Sequence, residues 1–148
     1  MKRTVLFVAL VLATLGHAAG GLDLALSRNL DAVGYAGRLG FYLEGSPLAV
    51  RGDLIFGERG GLLGEVDLLW RPWGDRFVEP YLGLGASTLI ARLAPEGGLV
   101  MDVGAESFAV ASAGLALRFA KVRPYADVSY SYGPDPYARA SFGVVWRW

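Results

Sequence analysis

Apolar and polar side chains alternate along most of this chain, in eight stretches separated by clusters of Gly, Pro, Asn and Asp. A period of two belongs to the β-strand, whose successive side chains point to opposite faces, and the intervening clusters are turn formers. The predicted strands run Leu22 to Arg28, Val33 to Glu44, Leu48 to Phe56, Leu62 to Arg71, Val78 to Ile90, Ser107 to Ala120, Val122 to Tyr132 and Ala138 to Trp148. One face carries Leu22, Leu24, Leu26, Tyr35, Leu39, Phe41, Leu54, Phe56, Val66, Trp70, Leu82, Leu84, Leu115, Val128, Tyr130, Phe142, Val144, Trp146 and Trp148, among others. The opposite face carries Asp23, Arg38, Arg51, Asp53, Glu65, Asp67, Arg71, Glu79, Arg118, Arg123, Asp127 and Arg147, mixed with small residues such as Gly40, Gly85, Ser129 and Gly143.

The alternation has local faults. Ile55, Leu63, Leu69 and Val145 fall on the polar side, and Arg28 falls on the apolar side near a strand end. In the sixth strand Phe108 and Val110 are out of phase with Leu115 and Leu117, which predicts a β-bulge around Ser112 to Gly114.

Ahead of the strands, Lys2 and Arg3 precede an apolar run from Val5 to Leu15 and then Gly16, Ala18 and Ala19, the charged, apolar, small order of a secretory signal peptide. The run is shorter than the roughly 20 residues a spanning helix requires. Residues 1–19 are therefore expected to be a cleaved leader and residues 20–148 a single barrel domain. Two of the 14 basic residues lie in that leader, so 12 remain against 14 acidic ones, a balance that offers nothing to nucleic acid. The only histidine, His17, leaves with it, and the chain has no cysteine, so neither a disulfide nor a lipid-modified N-terminal cysteine is available.

Eight alternating strands fit a soluble barrel with its apolar face inward or a membrane barrel with that face toward lipid. Three features favour lipid. The mature chain has one lysine, Lys121, where a soluble surface is rich in Lys and Glu. Small residues crowd the polar face, as a narrow interior demands. Apolar-face aromatics gather at strand ends, as in interfacial girdles: Phe41, Trp70, Phe119, Trp146 and Trp148 at one end, Tyr35, Phe56, Tyr130 and Tyr132 at the other. With the first group in the periplasm, the longest connection, Ala91 to Glu106, falls outside the cell. The fold expected is an all-β, eight-stranded antiparallel up-and-down transmembrane β-barrel in the cell outer membrane, with outer-membrane lipid as its partner and a monomer favoured.

The segments Glu79-Pro-Tyr-Leu-Gly-Leu-Gly-Ala-Ser87 and Arg123-Pro-Tyr-Ala-Asp-Val-Ser-Tyr-Ser-Tyr-Gly133 resemble strands of the eight-stranded outer-membrane barrels of the OmpA transmembrane-domain and OmpX type. The closing alternation of Phe142, Val144, Trp146 and Trp148 resembles the signal that family presents to the barrel-assembly machinery, although Trp148 stands where the family usually has Phe. The resemblance covers the mature chain. It implies roles from membrane integrity and adhesion to small pores, and in a few members lipid-modifying enzymes; fold alone does not choose among them.

Chemistry narrows the choice. The lipid-modifying members resemble Ser–His systems, and no histidine survives leader cleavage, so no enzyme is expected and Ser87, Ser129 and Ser131 read as small interior residues. With Asp and Glu spread over several strands and neither Cys nor His, no metal site or cofactor is expected. An eight-stranded barrel is only wide enough for its own side chains. The eleven residues Arg38, Arg51, Asp53, Glu65, Asp67, Arg71, Glu79, Arg118, Arg123, Asp127 and Arg147 are therefore expected to pair in the lumen and plug it, giving a structural or surface scaffold. The alternatives are a small ion-conducting pore using the same residues and a soluble periplasmic barrel binding a hydrophobic ligand.

Overall fold

The computed structural model of the chain describes residues 19–32, 34–45, 47–74 and 76–148. The expected leader lies outside them except for Ala19, as does Val33. The strands are β1 (Ala19–Asn29), β2 (Tyr35–Glu44), β3 (Leu48–Phe56), β4 (Gly61–Trp70), β5 (Val78–Leu93), β6 (Leu99–Met101), β7 (Ser107–Leu117), β8 (Val122–Tyr132) and β9 (Tyr137–Arg147), with one 3-10 turn at Glu58–Gly60. Eight of them form a closed antiparallel up-and-down ring in the order β4, β3, β2, β1, β9, β8, β7, β5, with β5 pairing back onto β4. Closure leaves the ring no free edge, so the backbone N–H and C=O groups of these strands find partners within the sheet. The short β6 pairs only with β5 and forms a hairpin above the ring. β1 starts and β9 finishes at the proximal end of the ring, and the opposite end is distal.

Register aligns like faces around the ring. Leu54 pairs with Leu39, Leu39 with Leu24 and Leu24 with Val144, all on the outside. Inside, Arg51 pairs with Asp67 and Asp53 with Glu65. Leu24, Leu39 and Leu54 thus face outward, whereas the soluble-barrel alternative required them inside. Phe41, Trp70, Phe119, Trp146 and Trp148 stand exposed on the outer surface toward the proximal end, and Tyr35, Phe56, Tyr130 and Tyr132 toward the distal end.

Two expectations about local geometry need correction. No bulge occurs at Ser112 to Gly114; β7 pairs with β5 and β8 in unbroken register. Phe108 and Val110 point inward and are buried, Phe108 stacking edge-on against Tyr137 at 5.6 Å. Inside position therefore does not require a polar residue here: Ala36, Ile55, Leu63, Leu89, Phe108 and Tyr137 form an apolar cluster inside the distal part of the barrel. The register shift lies instead where β5 passes Leu62 and Leu63 of β4. Likewise, residues 91–106 are not a plain loop. β5 runs on to Leu93, and Gly97 and Gly98, with φ of 88° and 102°, turn the chain back into β6 in a left-handed conformation that only glycine adopts without strain.

Candidate functional site

The inward side chains form an ion-paired column along the barrel axis, best followed from the proximal end. Glu44, at the end of β2, accepts hydrogen bonds from Arg71 (2.9 Å), Arg123 (2.8 Å) and Arg147 (3.0 Å). Glu79 of β5 lies within 3.3–3.5 Å of Arg71, Arg118 and Arg123. Arg147 also donates to the carbonyls of Phe119 (3.0 Å) and Ala120 (2.9 Å), and Arg118 to that of Gly74, so the proximal turns are tied to the column. The Arg123 guanidinium lies 5.7 Å from the Tyr42 ring centre.

Halfway up, Arg51 of β3 joins three strands. It donates to Asp67 of β4 and to Asp127 of β8, both at 2.8 Å, and its Nε lies 3.4 Å from Asp53. Tyr81 donates to Asp127 at 2.9 Å and Tyr125 to Asp23 at 2.8 Å, while the Tyr125 ring sits 5.5 Å from the Arg51 guanidinium. Seven buried groups, Arg51, Asp53, Asp67, Asp127, Tyr81, Tyr125 and Asp23, therefore meet across the lumen. Glycine makes room for the carboxylates: Gly40 is paired with Asp53 and Gly85 with Asp67, and a Cβ at either would overlap the carboxylate opposite.

In the distal tier Arg38 contacts Asp53, Glu65 (3.4 Å) and the Ser141 hydroxyl (3.0 Å). Arg139 donates to Glu65 at 2.6 and 2.9 Å and to Glu58 at 2.9 Å.

All eleven residues expected in the lumen, and Asp23 with them, face inward and take part in this column. Three further members, Arg139, Glu44 and Glu58, were not anticipated. Arg139 shares the parity of Ser141 and Gly143, and Glu44 that of Arg38, so alternation carries a signal for both; Glu58 lies in a turn, where alternation carries none. The expected dispersal of the acidic groups is also corrected. Pairing of β3 with β4 brings one carboxylate oxygen each of Asp53, Glu65 and Asp67 within 4.8 Å of one another. Arg38, Arg51 and Arg139 already bond to these acids, so the cluster is part of the ion-pair column.

The column is polarised. Among the described residues, the proximal tier sets Arg71, Arg118, Arg123 and Arg147 against Glu44 and Glu79. The upper two tiers set Arg38, Arg51 and Arg139 against Asp23, Asp53, Glu58, Glu65, Asp67 and Asp127. Free space follows the same axis. Between the proximal and middle tiers lies a cavity of about 10 Å³, room for about one water, lined by Tyr42, Arg51, Arg71, Glu79, Tyr81 and Tyr125 among others. The distal mouth opens to about 520 Å³ between Asn29, Tyr35, Glu58, Arg92, Asp135 and Tyr137.

No protein-family model and no curated protein matches the chain. Solved structures do. The N-terminal β-barrel domain of Pseudomonas aeruginosa OprF is similar with a TM-score of 0.70 at 14% identity, over 88% of this chain and 97% of that one. Neisserial surface protein A is similar with a TM-score of 0.65 at 14% identity, over 88% and 96%. A barrel from de novo design of transmembrane β-barrels reaches 0.60 at 14% identity, over 88% and 95%. At such identity these likenesses show the shared eight-stranded barrel fold.

Proposed function

We propose that the protein is an integral outer-membrane barrel that acts as a scaffold, its lumen closed by its own ion pairs. The observation that carries this is the inverted distribution of polarity. Leu26, Leu84 and Phe142 are 66%, 72% and 66% exposed on the outer wall, while Arg51, Arg123 and Arg139 are at most 2% exposed inside. In water that outer wall would be a continuous apolar patch of a kind soluble monomers rarely present. In a bilayer it faces hydrocarbon, and the closed ring satisfies the backbone. The barrel neighbours, among them a designed transmembrane barrel and a Neisserial surface protein, support the same environment. Residues 1–19 serve as the export leader on this reading, and catalysis has no assigned part. Cell fractionation combined with gel mobility before and after boiling tests it: the protein is expected in the outer-membrane fraction with a heat-dependent shift. A heat-insensitive, soluble periplasmic protein would contradict it.

The C-terminal residues Phe142, Val144, Trp146 and Trp148 are assigned to recognition by the barrel-assembly machinery. Phe142, Trp146 and Trp148 are exposed on the outer wall, whereas Val145 between them is buried in the lumen. Deleting Trp148 is accordingly expected to lower the amount of folded, inserted protein more than Val145→Ala does, although Val145 has the greater role in packing. Equal amounts of the two variants in purified outer membranes would remove the assembly role.

A further inference from the structure

The hairpin formed by the end of β5 and by β6 has two unlike faces. Arg92 pairs with Val100 across the hairpin, and the flanking pairs Leu93–Leu99 and Ala91–Met101 therefore project to the other side. Arg92 lines the distal mouth with Glu106, and its guanidinium bonds to Asp102 (2.9 Å) and Glu106 (2.7 Å). The Arg92 face thus looks toward the barrel axis. Leu93, Leu99 and Met101, each 65–69% exposed, look away from it.

The register shift between β4 and β5 produces this arrangement. Below it, Leu63 pairs with Leu89, and both face inward; above it, Leu62 pairs with Ala91 and Gly61 with Arg92. Leu62 belongs to the outward face of β4, so the extra residue in β5 gives Ala91 and Leu93 the same outward side, where Leu93 is exposed and Ala91 is buried. Without the shift, the strand parity of Ser87 and Leu89 would place Leu93 over the mouth and Arg92 against the outer wall. The outer apolar wall therefore continues, through Leu62 and Ile90, onto Leu93, Leu99 and Met101, with the hydrogen-bonded Thr88 and Ser107 hydroxyls beside it on the β7 side. The polar turn Pro95-Glu96-Gly97-Gly98 begins only beyond it.

We propose that this hairpin is seated against membrane lipid, its Leu93–Leu99–Met101 face lying on the acyl and headgroup boundary of the outer leaflet. This rests on the membrane-barrel reading and goes beyond it: the longest distal connection is a membrane-lying element rather than a segment free in the medium. Lipid is the occupant because the face is continuous with the lipid-facing wall and carries no charge, while every ionic group of the hairpin's paired strands is directed toward the mouth. The hairpin in this way widens the barrel's lipid contact on the β4–β5–β7 side alone.

The chain has no cysteine, so single cysteines report cleanly. Leu84→Cys, Glu96→Cys, Leu99→Cys, Val100→Cys and Met101→Cys, each labelled with an environment-sensitive fluorophore, are reconstituted in phosphatidylcholine–phosphatidylglycerol vesicles. Each is quenched by spin-labelled lipid or by aqueous iodide. Labels at 99 and 101 are expected to lose emission to spin-labelled lipid nearly as strongly as the label at 84. Labels at 96 and 100 are expected to lose it to iodide. Iodide quenching at 99 and 101 equal to that at 96, with 84 still quenched by lipid, overturns the hairpin proposal and leaves the barrel in its membrane. Iodide quenching at 84 overturns the membrane reading itself. Shielding at 99 that disappears as the protein is diluted in lipid would assign the face to a second copy of the chain and also overturns the proposal.

Discussion

Arg51→Ala is expected to destabilise the barrel by about 3–5 kcal/mol, the range for removing one partner of a buried ionic group. The Arg51 side chain is only 2% exposed and holds Asp67 and Asp127 at 2.8 Å, with Asp53 at 3.4 Å. Without it, Arg38 and Arg139 are left to balance six carboxylates in the upper two tiers, and Asp127 keeps only the Tyr81 hydroxyl among its described partners. Uncompensated charge in a narrow, buried space costs far more than the same charge at a surface. Arg118→Ala is the control. Its side chain is 33% exposed at the proximal mouth, where water replaces a lost partner, and a change below about 1 kcal/mol is expected. Urea unfolding of the two variants in lipid vesicles measures both. Neutralising the buried partners together, as in Arg51→Met with Asp67→Asn and Asp127→Asn, should recover part of the loss, because a buried ion pair replaced as a unit costs little.

Gly40→Ala is expected to cost about 1–3 kcal/mol or more, the usual penalty for adding a methyl group to a packed interior. Its Cβ would overlap the Asp53 carboxylate and also the Gly52 carbonyl oxygen, so the side chain and the neighbouring strand would both have to move. Moving Asp53 weakens its contact with Arg38 and opens the middle tier. Three residues earlier on the same strand, Gly37 has nothing within 4 Å of the position a Cβ would take, and its backbone is extended β-strand. Gly37→Ala is therefore expected to be neutral or slightly stabilising, through a less flexible unfolded chain. The same unfolding measurement compares them, and equal effects at 37 and 40 would show that room for the Asp53 carboxylate is not what Gly40 provides.

Much of this barrel is legible in the sequence because a β-strand has only two faces. Once Leu24, Leu39 and Leu54 are seen to alternate with Asp23, Arg38 and Asp53, the sorting of side chains follows, and the strands and their up-and-down order come with it. Who pairs with whom does not follow. Arg51 meets Asp127 across 76 residues of sequence and Arg38 meets Ser141 across 103, contacts fixed by the stagger of the closed ring and by the width of its lumen. Departures from alternation were legible only in part. Phe108 and Val110 look like a slipped register but fill an apolar layer above the ion pairs, because a lumen accepts any side chain that packs there. The true shift, opposite Leu62 and Leu63, is announced only by Arg92, which shares the parity of the outward Leu82 and Leu84 but lies beyond the predicted strand end at Ile90, and β6 is too short at three residues to display a period.

Single-channel recording in planar bilayers shows whether the lumen is closed. On the proposed reading, three tiers of ion pairs, with room for about one water in the cavity between the lower two, interrupt any water path from mouth to mouth. The purified, folded protein is therefore expected to insert without discrete conductance steps at ordinary voltages. Steady, well-resolved openings by the unmodified protein would contradict a closed barrel and assign the same column of charges to a small ion-conducting pore.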